Sequence, residues 1–170
     1  MDVKLKNVFL YKDYNMKFEY QDIYESPIGI IEIKSNANAI ISIQFAENIY
    51  KKEISQNDII DIAKMQLNEY FSGTRKNFDL PIIENGTEYN LMVWKELRQI
   101  PYGQTVSYKK IAHQIGNPNS ARAVGNANNK NPFVIFTPCH RIILSSGKLG
   151  GYGSGLWRKE FLLNLENKFC

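Results

Sequence analysis

The sequence predicts an α+β protein made of two parts, a small sheet-and-helix part followed by a mostly helical part. Two observations support this prediction. Runs rich in β-branched residues, separated by turn formers, occur in the first half, whereas apolar residues at helical spacing between capping residues fill the second. Of the 170 residues, 44% are apolar and 22% are charged, which is the balance of a globular protein and excludes disordered, collagen-like and disulfide-scaffold classes.

Charge is distributed unevenly along the chain. Residues 1–86 carry 10 Lys and Arg against 13 Asp and Glu, and residues 87–170 carry 11 against 4, so the second half is basic. A basic half either meets a polyanion such as nucleic acid or is only a solvated surface, and charge alone leaves both alternatives open.

The first half predicts a β-hairpin and then a helix. Two β-branched runs, Ile28–Lys34 and Ile40–Phe45, flank the turn formers of residues 35–38. A helical stripe follows, opened by Asn57 or Asp58 and ended by Gly73. Its apolar members are Ile59, Ala63, Leu67, Tyr70 and Phe71.

The segment LPIIENG at residues 80–86 contains a proline and an Asn-Gly pair, which favour a connection between domains. We therefore expect residues 1–80 to form an N-terminal α/β support domain and residues 81–87 to form a linker. Residues 88–170 are then the C-terminal domain, in which we expect the chemistry.

Three helices are predicted after this linker. Thr87 caps a helix that runs to about Ile100, with Trp94 in the core. Ser107 caps a short helix, YKKIAHQI, and a second short helix, ARAVGNAN, follows a turn that contains Gly116. This pair indicates a helix-turn-helix, although a compact helical bundle has the same pattern. The small residues of ARAVGNAN suit either close approach to a DNA groove or tight helix packing.

A reactive cysteine is the main chemical candidate. A strand-like run at residues 133–137 leads into Pro138-Cys139-His140-Arg141, so that a backbone fixed by proline aims the thiol of Cys139. A thiol attacks as its thiolate, which requires a lowered pKa, and His140 and Arg141 are the candidate neighbours. The alternative is a buried, inert cysteine.

A glycine-rich loop at residues 147–155 precedes the final helix, which begins at about Leu156. Such a loop lets backbone amides approach a ligand closely, but this one lacks the Gly-Lys-Ser/Thr ending of a phosphate loop. We expect the helix to bury Phe161, Leu162 and Leu165. Near its end, Glu166 either orients His140 as the third member of a relay or is a surface charge.

Four segments carry a family resemblance: IPYGQTVSY, GNPNSARAVGNANNKNP, PCHR and GGYGSGLWRKEFLLNLE. In this order and spacing they resemble the O6-alkylguanine-DNA alkyltransferases, also called methylated-DNA–protein-cysteine methyltransferases. The resemblance runs from about Leu67 to Glu166. It implies an RNase H-like small sheet with a helix in the N-terminal domain, and a mostly α C-terminal domain with a winged helix-turn-helix-like DNA-binding motif.

The resemblance also implies roles for individual residues. Cys139 is the alkyl acceptor, His140 draws its proton through a water molecule, and Glu166 holds His140. Asn131 resembles a hinge asparagine and Arg122 the finger that fills the gap left by a flipped base. Tyr108 resembles a tyrosine that rotates the 3′ phosphate and donates toward guanine N3. Further DNA-contacting positions of the family match Lys109, Asn117, Ala123 and Ser145. The guanine pocket of the family matches Tyr152 and the backbone of Gly153 and Ile142.

The implied function is the repair of double-stranded DNA that contains O6-alkylguanine, with O4-alkylthymine as a further candidate lesion. The protein flips the damaged base from the minor groove and transfers the alkyl group irreversibly to Cys139, once per molecule. We expect a cytoplasmic monomer that uses no membrane, cofactor or metal; residues 1–86 contain no cysteine or histidine for a zinc site.

Three other functions compete with this one. A non-catalytic lesion-binding protein is the first alternative, and the intact Cys139 counts against it. A DNA-binding regulator would need more base-reading side chains than ARAVGNAN offers. A cysteine hydrolase would need a second histidine in a suitable position.

Overall fold

The computed structural model describes residues 18–46 and 57–170, together with the backbone of residues 8–10. The chain divides into two compact units, Met1–Asn85 and Gly86–Cys170. None of the helices in the described ranges is long and apolar enough to cross a membrane.

The first unit is a five-stranded sheet with one helix. The strands are β1 (Val8–Leu10), β2 (Tyr20–Ser26), β3 (Gly29–Ser35), β4 (Ile40–Phe45) and β5 (Ile82–Glu84), in the order β1-β5-β4-β3-β2, and the helix is α1 (Asp58–Phe71). Strands β2, β3 and β4 pair antiparallel, whereas β5 runs parallel to β1 and β4. The helix packs on β2 and β3, and Ile31 and Ile33 of β3 are fully buried.

The predicted hairpin and helix are confirmed. The hairpin is β3 and β4, and the Oδ1 atom of Asn36 accepts hydrogen bonds from the backbone of Asn38 and Ala39 in the turn. Helix α1 begins after Asn57, whose side chain accepts from the backbone N–H of Ile59 and thereby satisfies a helix donor.

Three strands of this unit were not predicted. Strands β1 and β2 lie before the predicted hairpin, and β5 lies inside the segment 81–87 that we expected to be a linker. Residues 82–84 are therefore part of the sheet, and the chain divides after Asn85. A strand of three residues is too short to show a periodic pattern, and its parallel partners are distant in sequence.

The second unit contains four helices and a two-stranded parallel sheet. They are α2 (Glu88–Leu97), β6 (Val106–Ser107), α3 (Tyr108–Gln114), α4 (Ala121–Asn129), β7 (Ile142–Ile143) and α5 (Leu156–Lys168). Thr87 and Ser107 cap α2 and α3 as predicted, and Trp94 lies in the core. Helix α2 ends at Leu97, three residues earlier than predicted.

The predicted helix-turn-helix consists of α3, the turn through Gly116, and α4. Gly116 has a φ of 75°, a left-handed conformation that favours glycine and ends α3. The Nε1–H of Trp94 donates to the carbonyl of Ala127 over 2.9 Å, which attaches α4 to α2. The small residues of α4 therefore serve helix packing at least on its inner face.

The strand predicted at residues 133–137 is wrong. These residues form a buried tight turn in which the N–H of Thr137 donates to the carbonyl of Phe133. Ile135 has a φ of 72°, which is unusual for a β-branched residue. An apolar run indicates burial, but it does not distinguish a buried strand from a buried turn held by side chains.

Candidate active site

Cys139 lies at the start of a 3₁₀ turn, Cys139–Arg141, directly after the buried turn of residues 133–137. It is a free cysteine with only 4% of its surface exposed. Its Sγ atom lies 3.9 Å from the hydroxyl oxygen of Tyr152, which comes from the glycine-rich loop. The structure thus brings the predicted acceptor together with one of the predicted pocket residues.

Asn131 holds the turn that presents Cys139. Its Nδ2 atom donates to the carbonyls of Phe133, over 3.3 Å, and Thr137, over 2.8 Å. Its Oδ1 atom accepts from the N–H of Phe133 over 3.0 Å. One buried side chain therefore replaces the regular hydrogen bonds that this stretch of backbone lacks.

The carboxylate of Glu166 lies at the centre of the site and is fully buried. It accepts hydrogen bonds from His140 Nε2 at 2.7 Å, from Arg141 Nε and Nη2 at 2.9 Å each, and from the backbone N–H of Gly103 at 3.0 Å. Burying a carboxylate requires compensation of this kind. The alternative that Glu166 is a surface charge is excluded.

Gly103 donates to Glu166 from a backbone conformation that favours glycine. Its φ is 73°, and a Cβ atom at this position would lie 2.6 Å from the Sγ atom of Cys170. The chain after α5 thus packs against the backbone segment that donates to the carboxylate, which contributes to the burial of this ion cluster.

The protonation states in this cluster follow from its charges. Burial favours the neutral form of Glu166, but the hydrogen bonds and charges of His140 and Arg141 outweigh it and hold the pKa of the carboxyl well below its usual range. Burial lowers the pKa of His140, so the imidazole is neutral near pH 7. Because an ionised carboxylate only accepts, Nε2 of His140 carries the proton and Nδ1 has a free lone pair. Nδ1 is buried and has no hydrogen-bond partner among the described residues.

The electrostatics of Cys139 differ from the prediction. Burial raises the pKa of the thiol, and hydrogen bonds from Asn131 and Tyr152 and the charge of Lys159 partly offset this effect. Arg141, expected to stabilise the thiolate, instead binds Glu166 and donates from Nη1 to the carbonyl of Ile100 over 2.6 Å. The cation that stabilises the thiolate is Lys159.

Lys159 is a residue that the sequence analysis missed. It is completely buried in α5, and its ammonium group donates to the carbonyls of Ile142, Leu149 (2.5 Å) and Gly151 (3.4 Å). Burial lowers its pKa to about 8. The sequence contains a signal for it, since Lys159 is three residues before the buried Leu162 and seven before Glu166, on one helix face. Of the three residues that we expected α5 to bury, Phe161, Leu162 and Leu165, only Leu162 is fully buried.

Two tyrosines line the approach to Cys139. The hydroxyl of Tyr108, at the start of α3, donates to the carbonyl of Gly151 over 3.4 Å, and its ring lies 6.0 Å from the Lys159 ammonium. Burial, followed by the charge of Cys139, raises the pKa of both Tyr108 and Tyr152. Both phenols therefore stay protonated at neutral pH and can donate hydrogen bonds.

The predicted pocket and DNA residues occupy different surroundings. Ile142 is buried, with its carbonyl bound by Lys159, whereas Gly153 is exposed in the glycine-rich loop. Arg122 is exposed on α4 and Ala123 beside it is half-buried. The remaining predicted DNA contacts are exposed on α3, in the turn between α3 and α4, and after β7: Lys109, Asn117 and Ser145. None of these three belongs to the cluster around Cys139.

Both units match known domains. The family model for the 6-O-methylguanine DNA methyltransferase DNA-binding domain matches residues 88–168, and the model for its ribonuclease-like domain matches residues 20–83. The chain belongs to the 6-O-methylguanine DNA methyltransferase family. The α+β fold class and the family resemblance are thereby confirmed.

Individual methyltransferases of this family are similar over most of their length. A Methanosarcina acetivorans protein named methylated-DNA–protein-cysteine methyltransferase is 45% identical over 152 residues, which are 86% of this chain and 97% of that protein. The protein of the same name from Mycobacterium tuberculosis is 43% identical, over 84% of this chain and 88% of its own. The crystal structure of Mycobacterium tuberculosis OGT in complex with DNA has a TM-score of 0.82 at 41% identity, covering 88% of this chain and 94% of that one.

The ion cluster makes a prediction about stability. Replacing Glu166 with Gln leaves Arg141 buried without its counter-ion, so we expect the free energy of unfolding at pH 7 to fall by about 3–5 kcal/mol. Because the folded pKa of Glu166 lies below its unfolded value, its contribution is full above about pH 5 and is lost as the pH falls through the acid range. The difference in the free energy of unfolding between the parent and Glu166→Gln should therefore become smaller as the pH falls.

Urea unfolding at several pH values measures this difference. Both tryptophans of the chain, Trp94 and Trp157, lie in the second unit, so tryptophan fluorescence follows that unit. The control is Glu160→Gln, at an exposed position of the same helix. A difference between parent and Glu166→Gln that stays constant from pH 7 to the acid limit would contradict the proposed ionisation of Glu166.

Proposed function

We propose that this chain repairs duplex DNA by transferring the alkyl group of O6-alkylguanine to the sulfur of Cys139. The observation that carries the proposal is the arrangement of the relay. The residue adjacent to the acceptor cysteine carries a neutral imidazole that a buried carboxylate holds through Nε2, and its Nδ1 atom is buried with no hydrogen-bond partner among the described residues. This is the arrangement by which an enzyme removes a proton from a weakly acidic nucleophile.

The transfer requires few groups. His140 Nδ1 takes the thiol proton of Cys139 through a water molecule, and Lys159 stabilises the thiolate that forms. The sulfur attacks the alkyl carbon, the bond from that carbon to O6 breaks, and the electron pair leaves with guanine. Tyr108 is proposed to donate toward guanine N3, which stabilises the leaving group. The proton from the thiol ends on guanine, so the products are a thioether and an unmodified base.

The same chemistry makes the protein a single-use reagent. A thioether is a stable bond between carbon and sulfur, and regenerating the thiol would require a second nucleophile to attack the alkyl carbon. His140 is directed at the thiol proton by Glu166, and Lys159 is engaged by three carbonyls. We therefore propose one alkyl group per molecule.

The DNA-facing residues are proposed to act on α3 and α4. Base flipping costs a few kcal/mol of unstacking, which an inserted side chain and a fitted pocket offset. Arg122 is the one long side chain at the exposed start of α4, between Ala121 and Ala123, and can serve as the inserted finger. Lys109, Asn117 and Ser145 are proposed to contact the backbone. A minor-groove approach carries little sequence information, which suits the recognition of damage at any sequence.

Intact mass spectrometry tests the central proposal. After incubation with a duplex that contains one O6-methylguanine, the protein should gain the mass of one methylene, located on the peptide that contains Cys139. Cys139→Ala should gain nothing, whereas Cys170→Ala, the matched control at an exposed free cysteine, should react like the parent. Lesion-selective binding without a mass gain would instead indicate the non-catalytic sensor.

Removing the proposed finger should separate two activities. Arg122→Ala should slow the repair of duplex DNA by about tenfold or more, because the offset of unstacking is lost, and leave the reaction with free O6-benzylguanine unchanged. Single-turnover kinetics with both substrates measure the effect, and Lys95→Ala, an exposed cation on α2, serves as the control. Equal losses on both substrates would remove the assignment of the finger.

Removing the buried ammonium group should affect the cysteine itself. Lys159→Met keeps a long apolar side chain but removes the charge that opposes the burial of the thiolate. We expect the pH–rate profile for free O6-benzylguanine to move to higher pH and the rate at pH 7 to fall by about tenfold or more. Lys148→Met, which changes an exposed lysine in the glycine-rich loop, should match the parent. An unshifted profile in Lys159→Met would contradict this role.

A further inference from the structure

The mechanism above does not use a buried polar side chain that binds the backbone of the acceptor cysteine. Asn128 lies in the last turn of α4 with only 4% of its surface exposed. Its Nδ2 atom donates to the backbone carbonyl of Cys139 over 3.3 Å, a hydrogen bond that is completely buried. Its Oδ1 atom is buried and has no hydrogen-bond partner among the described residues.

The orientation of this amide is determined by its partner. The carbonyl of Cys139 can only accept, so the NH₂ group of Asn128 must face it, and exchanging the two ends would place two acceptors against each other. Leaving Oδ1 unsatisfied in the interior is costly, and asparagine is a poor helix former. An apolar residue like the neighbouring Ala127 would avoid both costs. The hydrogen bond to Cys139 therefore needs a functional explanation.

The C-terminal end of α4 holds the acceptor segment at two points. Asn131, just after the helix, binds the turn that precedes Cys139. Asn128 binds the peptide of Cys139 itself, and the adjacent Ala127 is attached to Trp94. Arg122 is on the same helix, six residues earlier and about 9 Å along its axis. The helix that carries the proposed finger is thus joined directly to the reacting residue.

We infer that Asn128 is a positioning residue for the alkyl transfer, which fixes the peptide of Cys139 relative to the helix that meets DNA. This inference rests on the proposed function. Displacement of a nucleophile by a fraction of an ångström slows a displacement reaction without changing how tightly the substrate binds. Asn128 therefore acts on the transfer step and leaves DNA affinity unchanged.

Single-turnover repair of an O6-methylguanine duplex separates these two quantities. Asn128→Ala lowers the maximal transfer rate by about tenfold, the value of one hydrogen bond, and leaves the protein concentration at half-maximal rate unchanged. Because its target is the cysteine, the rate with free O6-benzylguanine falls by the same factor. Asn126→Ala, an exposed asparagine on the same helix, is the matched control and keeps the parent rate.

An aspartate variant tests the role through the pH dependence of its transfer rate, which a purely structural role of Asn128 would not change. The ionised carboxylate of Asn128→Asp cannot donate to the Cys139 carbonyl, whereas the protonated acid can. Burial raises the pKa of such an acid, so the ratio of the variant rate to the parent rate rises as the pH falls from about 8 to about 5. Cys139, His140, Glu166 and Lys159 titrate in both proteins, so the ratio isolates position 128.

The outcomes are distinguishable. If the parent gains no methylene from the duplex, the proposed function fails, and the inference fails with it. If the parent transfers the group and Asn128→Ala reacts at the parent rate, only the inference fails. If Asn128→Ala unfolds, as circular dichroism would show, the aspartate variant decides: a ratio that rises on acidification supports the positioning role, and a ratio that is independent of pH overturns it.

Discussion

The carboxylate of Glu166 is the interaction on which the rest of the active site depends. Four hydrogen bonds from two other parts of the second unit converge on it: one comes from Gly103, in the segment before β6, and three come from His140 and Arg141 in the 3₁₀ turn. The same carboxylate selects the tautomer of His140 and neutralises Arg141. The same buried charge therefore holds these segments together and, in the proposed mechanism, orients His140 as the base.

A second consequence of burial concerns the cysteine. A thiol with almost no exposure resists ionisation, and this resistance is only partly offset by Asn131, Tyr152 and Lys159. The balance suits a protein that can react only once, since a thiol that stays protonated in the resting state is protected from reacting with other electrophiles. In the proposed mechanism, activation belongs to the complex with substrate, in which His140 receives the proton.

Much of this arrangement is predictable from local sequence, and the remainder depends on tertiary contacts. The caps at Asn57, Thr87 and Ser107 and the hairpin follow from local hydrogen-bonding rules, which is why those predictions are confirmed. The buried turn at residues 133–137 does not follow from such rules, because it is stabilised by the Asn131 side chain. Likewise, Arg141 is a cation near Cys139 in sequence and Lys159 is a distant one, and only the fold determines that the charge of Lys159 lowers the pKa of the thiol.

Helix α5 has a consequence for the order in which the protein is made. Lys159, whose charge lowers the pKa of the Cys139 thiol, and Glu166, which binds His140, follow Cys139 in the chain by 20 residues or more. A nascent polypeptide therefore emerges from the ribosome with Cys139 and His140 already present, whereas the cation and the carboxylate that α5 supplies follow later. Docking of α5 therefore completes the cluster around Cys139, because Lys159 and Glu166 reach it only when this helix is in place.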